Sequence, residues 1–176
     1  MRMLIVIDMQ NDFVTGRLGS KEAQQTVPRI EERIKEYLKN GDTVLFTKDT
    51  HKENYLDTLE GHYLPVVHCI EDTDGWEIVP QLAPYAQYIL YKNKFGYVDL
   101  ANDSLIMTNT YFSKDKCISI ELVGVCTDIC VVSNALILKA TTDIPIYVKA
   151  DCCAGTTPQK HMEALDVMKS CQVEVI

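Results

Sequence analysis

Five consecutive apolar residues, Met3, Leu4, Ile5, Val6 and Ile7, stop abruptly at Asp8. A strand with one face on a core and one in water alternates apolar and polar side chains. A run with no polar member belongs to a strand covered on both faces, as at the centre of a parallel sheet. Such a strand obliges the rest of the chain to supply helices for both faces. Val27, Ile30, Ile34, Tyr37 and Leu38 recur at helical spacing within residues 27–39, and Gly41 after Asn40 is a stop signal. Residues 43–47 then read as a second strand, so the chain opens strand–helix–strand. Residues 87–91 read as a third strand ending at Lys92, 99–110 as a helix, 117–123 as a fourth strand and 128–140 as a helix. Residues 144–148 read as a fifth strand, with Pro145 suited to a strand start. Thr157-Pro158 is an N-cap followed by proline at the first helical position, and that helix buries Met162, Leu165 and Met168. Residues 172–176 close the chain as a sixth strand. The expectation is an α/β fold: a three-layer α/β/α sandwich around a six-stranded, mainly parallel sheet joined by right-handed crossovers.

Residues 48–80 show no period, apart from a short helix or turn read at 80–85. A stretch this long in a compact domain is usually functional or organised by a ligand. It carries Asp49, His51, Glu60, His62 and His68, three of the four histidines among them.

The chain of 176 residues is long enough for one domain, 1–176, with a sizeable core. Seventeen basic residues against twenty-five acidic ones give a net charge of −8, with no basic stripe. That argues against nucleic acid and anionic membrane surfaces as partners and favours a small-molecule substrate. Seven cysteines, an odd number, lie mostly in apolar runs and form no C-x-x-C. No leader is expected, because Asp8 interrupts the opening run too soon, and no run is long enough to span a bilayer. A reduced, cytoplasmic protein is the expectation.

In open α/β sheets ligands collect at the carboxyl ends of the strands. Asp8 ends the first strand, Lys92 ends the third, and Cys130 lies in the first turn of the helix after the fourth. With Thr127 as N-cap and Asp128 in the first turn, the Cys130 sulfur would meet unpaired N–H groups and the positive end of the helix dipole, which lowers a thiol pKa. An acid, a base and a thiol at one edge suggest nucleophilic amide or ester chemistry. The plainer readings are a core cysteine, a capping aspartate and a solvated lysine. Asp49 and His51 point the same way in an extended segment and can share one ion, with His68 as a third ligand. Oxygen and imidazole donors suit zinc, manganese or iron, although histidines in a surface loop are the commoner arrangement.

Three segments carry a family resemblance. Leu4-Ile5-Val6-Ile7-Asp8-Met9-Gln10-Asn11-Asp12-Phe13 and Gly124-Val125-Cys126-Thr127-Asp128-Ile129-Cys130-Val131 resemble the opening strand and nucleophile segment of the isochorismatase-like cysteine hydrolases. Thr47-Lys48-Asp49-Thr50-His51 with Leu64-Pro65-Val66-Val67-His68-Cys69 is similar to the metal segment of the nicotinamidase branch. The resemblance implies an Asp8, Lys92 and Cys130 triad. Lys92 is preferred to Lys94 because it stands three before Phe95-Gly96. It also implies a cis peptide between Val125 and Cys126, with an oxyanion hole formed by the N–H groups of Cys126 and Cys130. Asp49, His51 and His68 become ligands of a divalent metal, zinc foremost with manganese or iron as alternatives, and Glu60 is a fourth candidate. Leu64 departs from the tryptophan common in that branch. Phe13 is the candidate to stack on a flat substrate, whereas Trp76 and Tyr97 are expected in core or surface roles. The implied activity is hydrolysis of nicotinamide to nicotinate and ammonia in NAD salvage, by a homo-oligomer. Alternatives are a family hydrolase acting on another small amide, carbamoyl compound or vinyl ether, a non-catalytic binding module, and a redox protein using Cys126 and Cys130.

Overall fold

The computed structural model describes residues 1–98 and 117–176, so the helix expected over 99–110 lies outside the described residues. Six strands form one sheet: β1 (Arg2–Ile7), β2 (Thr43–Asp49), β3 (Ile89–Lys92), β4 (Ser119–Val125), β5 (Ile146–Ala154) and β6 (Glu174–Val175). Their order is β3-β2-β1-β4-β5-β6, and every pairing is parallel. β1 is central, with Leu4 in register with Val44 on one side and Glu121 on the other.

The unbroken apolar run of β1 serves two layers. Leu4 and Val6 pack into one cluster with Val27, Ile30, Ile34 and Tyr37 of α2 (Lys21–Lys39). Met3, Ile5 and Ile7 pack into a second with Ala135 and Leu138 of α4 (Val132–Thr141) and Leu165 and Met168 of α5 (Pro158–Ser170). All five of these β1 side chains are fully buried, at roughly 1.5–3 kcal/mol each for their size class. Two short helices, α1 (Asn11–Val14) and α3 (Leu59–Tyr63), lie in the connections.

The structure departs from the sequence reading in several elements. α2 begins six residues before the expected start at 27, capped by Ser20, whose hydroxyl accepts the Ala23 N–H at 3.0 Å. Pro28 lies inside it on the solvent side, where water can serve the carbonyl its missing N–H leaves open. β5 runs to Ala154, well past 148. Met162 is half exposed rather than buried, because α5 turns Ala164, Leu165 and Met168 inward. Residues 48–80 carry, besides α3, single helical turns at Tyr55–Asp57 and Asp74–Trp76, followed by another at Ala83–Tyr85. No helix among the described residues is long and apolar enough to cross a membrane.

Candidate active site

The connections on the two sides of β1 diverge, because β2 lies to one side and β4 to the other. A crevice therefore opens at the carboxyl ends of β1 and β4. Asp8 leaves β1 with φ +49°, a left-handed conformation uncommon for a non-glycine residue and worth a functional explanation. Gly124 sits at φ +120° opposite Ile7, where a Cβ would lie 2.2 Å from the Ile7 carbonyl oxygen, so only glycine fits. The Val125–Cys126 peptide is cis. A π-helical turn, Thr127–Val131, follows and leads into α4. Thr127 is therefore the first residue of the turn and not its cap. Its buried hydroxyl lies 2.8 Å from His161 Nδ1, while extended Cys126 precedes the turn.

Asp8, Lys92 and Cys130 meet at the base of the crevice, all buried. Lys92 Nζ lies 2.6 Å from Asp8 Oδ2 and 3.4 Å from Asp49 Oδ1, and donates to Cys130 Sγ at 3.7 Å. The Thr47 hydroxyl donates to Asp8 Oδ1 at 2.6 Å and fixes the carboxylate plane. Lys94, the rival lysine, is exposed. Burial lifts the Asp8 carboxyl above the ordinary range, with the Lys92 charge pulling the other way. Burial works against the Lys92 ammonium, but the negative charges of Asp8 and Asp49 outweigh it and hold the proton. The thiol of Cys130 departs from the expected lowering. Burial pushes its pKa well up, against the opposing pull of Lys92, because a sealed site penalises the thiolate more than one ammonium repays. Cys126 is likewise pushed to about 12 by burial and by Asp128, so the two thiols make a poor redox pair.

Beside this cluster Asp49, His51, Glu60 and His68 bring one donor atom each to within 4.8 Å of one another. His51 Nε2 is 3.1 Å from Asp49 Oδ2 and 3.6 Å from Glu60 Oε1, and His68 Nε2 is 3.8 Å and 3.9 Å from the same two oxygens. His68 Nδ1 lies 2.7 Å from the Val66 carbonyl oxygen, so it carries the proton and leaves Nε2 with a lone pair aimed inward. Two imidazoles and two carboxylates at these spacings fit a divalent ion of the zinc, manganese or iron type. His62 is exposed and outside the group.

A cavity of about 340 Å³ opens onto both clusters. Phe13 lines it and meets His68 edge-on, with centroids 5.4 Å apart. Leu64, Phe95, Val125, Cys126 and Ile129 add apolar wall. Trp76 is buried elsewhere, with the Lys48 ammonium 3.0 Å above its ring, and neither Trp76 nor Tyr97 is among the residues that line this cavity. Four residues with no assigned role in the sequence reading shape the site. Gln10 is fully buried, donates to the Asp49 and Trp76 carbonyls at 2.8 Å each and accepts the Asp49 N–H at 2.7 Å. Asp12 accepts the N–H of Cys69, next to His68, at 2.8 Å. Phe95 lines the cavity, and Asn134 lies buried behind it. Gln10 and Asp12 share the opening motif with Asp8 and Phe13. Asn134 could have been noticed as a polar residue in an apolar helix.

The sequence profile of the isochorismatase domain matches residues 2–176. A nicotinamidase of Schizosaccharomyces pombe is 26% identical over 98% of this chain and 91% of its own. Among solved structures, the pyrazinamidase of Pyrococcus horikoshii in complex with zinc superposes with a TM-score of 0.85 at 28% identity, over 99% of this chain and 98% of that one. A nicotinamidase of Bacillus subtilis superposes with a TM-score of 0.81 at 27% identity, over 99% and 98% respectively.

Proposed function

The chain belongs to the isochorismatase family, and from that premise we propose that it is a nicotinamidase, hydrolysing nicotinamide to nicotinate and ammonia through a thioester on Cys130. The observation that carries this reading is the buried contact of Asp8, Lys92 and Cys130 beside a four-donor metal group, both opening on one cavity. The likeness to nicotinamidases and to a zinc-bound pyrazinamidase supports the same substrate class.

Asp8 takes the thiol proton as sulfur attacks the amide carbonyl. Burial raises both acids, and one ammonium faces both, so the transfer exchanges one anion for another beside the same cation. The N–H groups of Cys126 and Cys130 meet the oxyanion, a role worth about 3 kcal/mol per donor. Asp8 then protonates the departing ammonia as the C–N bond breaks, leaving the thioester. Water attacks with Asp8 as base, the C–S bond breaks, and Cys130 regains its proton. Phe13 packs against the ring. Asp49, His51, His68 and Glu60 would hold a divalent metal, zinc foremost. When bound, such an ion supplies a Lewis-acidic anchor for the ring nitrogen, directly or through water.

Among the described residues, the cavity lining holds no lysine or arginine. A carbamoyl or vinyl-ether substrate bearing a carboxylate would find no basic side chain on these walls, and the metal would be the cation left to receive it. Seven free thiols suit a reducing compartment, the cytoplasm. The test is ammonia release from nicotinamide by zinc-loaded protein, with and without chelator and with Cys130→Ala. Turnover that needs both metal and Cys130 is expected. No turnover by the metal-loaded protein overturns the reading.

A further inference from the structure

The Asn134 side chain is fully buried in α4, and its hydrogen bonds among the described residues are to backbone. Its Nδ2 donates to the Cys130 carbonyl at 2.8 Å and to the Phe95 carbonyl at 3.2 Å, and its Oδ1 accepts the Tyr97 N–H at 3.0 Å. Two neighbours are carbonyls and one is an N–H, so a single orientation of the amide satisfies all three. The carbonyl of one residue and the N–H two residues on are the groups an extended backbone presents to a neighbouring strand. One side chain holds that pair of groups in the bent segment Phe95-Gly96-Tyr97, which leaves β3 just after Lys92. That segment needs an anchor. Phe95 is 47% exposed, yet its side chain forms part of the wall of the cavity that holds Cys130.

We propose that Asn134 is a positioning residue that keys the Phe95 wall to the backbone of Cys130, and so sets the slot between ring and sulfur into which a flat substrate slides. This rests on the nicotinamidase reading for the identity of the substrate, but the clamp itself does not. With the clamp open the wall spends only part of its time in place, and apparent affinity falls by that fraction. The chemistry at Cys130 is untouched once the substrate is seated.

Asn134→Ser separates the two contacts. A serine hydroxyl bonds the carbonyl four residues back, here Cys130, but cannot reach Phe95 and Tyr97. Expected for this variant is a KM for nicotinamide raised about five- to tenfold, from two lost hydrogen bonds, with kcat within about twofold. The Tyr97 amide should also exchange faster with deuterium. Phe95→Ala, at a half-exposed position, should raise KM similarly, and adding Asn134→Ser to it should cost little more. A purely structural asparagine would lower the unfolding midpoint and leave KM unchanged. Unchanged KM in Asn134→Ser, or additive effects in the double variant, overturns the proposal. If the unmodified protein releases no ammonia, the nicotinamidase reading falls on its own. The Tyr97 exchange rate then still decides whether the clamp exists, and unchanged exchange in Asn134→Ser would rule it out.

Discussion

Two influences compete at the sulfur of Cys130. A first-turn position favours the thiolate and complete burial favours the thiol, and burial prevails. On the proposed mechanism the proton is therefore still on sulfur before substrate arrives, and Asp8, buried beside it, is the base that removes it. Alkylation of Cys130 by iodoacetamide, followed by peptide mass spectrometry, should accelerate at higher pH than the ~8.5 of a free thiol. A plateau below pH 8 would mean a resting thiolate and remove the need for Asp8 as base. The same burial makes Lys92 a contributor to stability. It is the cation facing both the Asp8 and Asp49 carboxylates, at 2.6 and 3.4 Å. Lys92→Met leaves the Asp8 carboxylate without its cation in the interior and should cost about 3–5 kcal/mol in urea denaturation, together with activity. Lys94→Met, at the exposed position two residues on, should match the parent protein in both measurements.

Elements differ in how openly the sequence displayed them. β1 and its neighbours were legible because a two-sided strand writes its burial into consecutive residues, and the ends of such strands placed Asp8 and Lys92. The first turns of α2 were hidden by Pro28, whose solvent-facing position no periodicity reveals. Residues 48–80 were illegible for a different reason: their order comes from distant groups. Gln10 stitches Asp49 to Trp76, Trp76 Nε1 donates to Thr50 at 2.9 Å, and Asp12 holds Cys69. Asn134 escaped notice because two of its three partners are backbone atoms nearly forty residues away in sequence. The Asp12 stitch carries a prediction for the whole metal segment. Gly75 packs so closely on Asp12 that a Cβ would lie 2.1 Å from its Oδ2. Gly75→Ala should push that carboxylate off the N–H of Cys69, the residue after His68, which stands at φ +44°. Zinc affinity, measured by competition with a chromogenic chelator, should weaken about tenfold. Unchanged affinity in a folded variant would show that the stitch does not position His68.

Across the whole molecule, the sheet gathers onto one edge groups that lie far apart along the chain. Asp8 and Lys92 come from the region of two strand ends and Cys130 from the turn after a third, whereas the four metal donors lie within residues 49–68, from Asp49 at the end of β2 through Glu60 in α3 to His68. The triad is therefore gathered by the sheet, and the donor group ties the loop carrying His51, Glu60 and His68 to the end of β2. An ion bound there stabilises only the folded chain, by about 2.7 kcal/mol when free metal is a hundred times its dissociation constant. For a domain of this length each kcal/mol moves the midpoint by roughly 2–4 °C, so saturating zinc should raise the thermal midpoint by about 5–10 °C. Chelator should reverse the shift. His68→Ala should abolish it, because the imidazole that closes the group is gone. Cys130→Ala should keep it, because the sulfur lies in the other cluster. Circular dichroism melts of the three proteins with and without zinc make the comparison. A shift that survives His68→Ala would place the ion elsewhere, and a shift lost in Cys130→Ala would mean that the two clusters do not act as separate parts of the site.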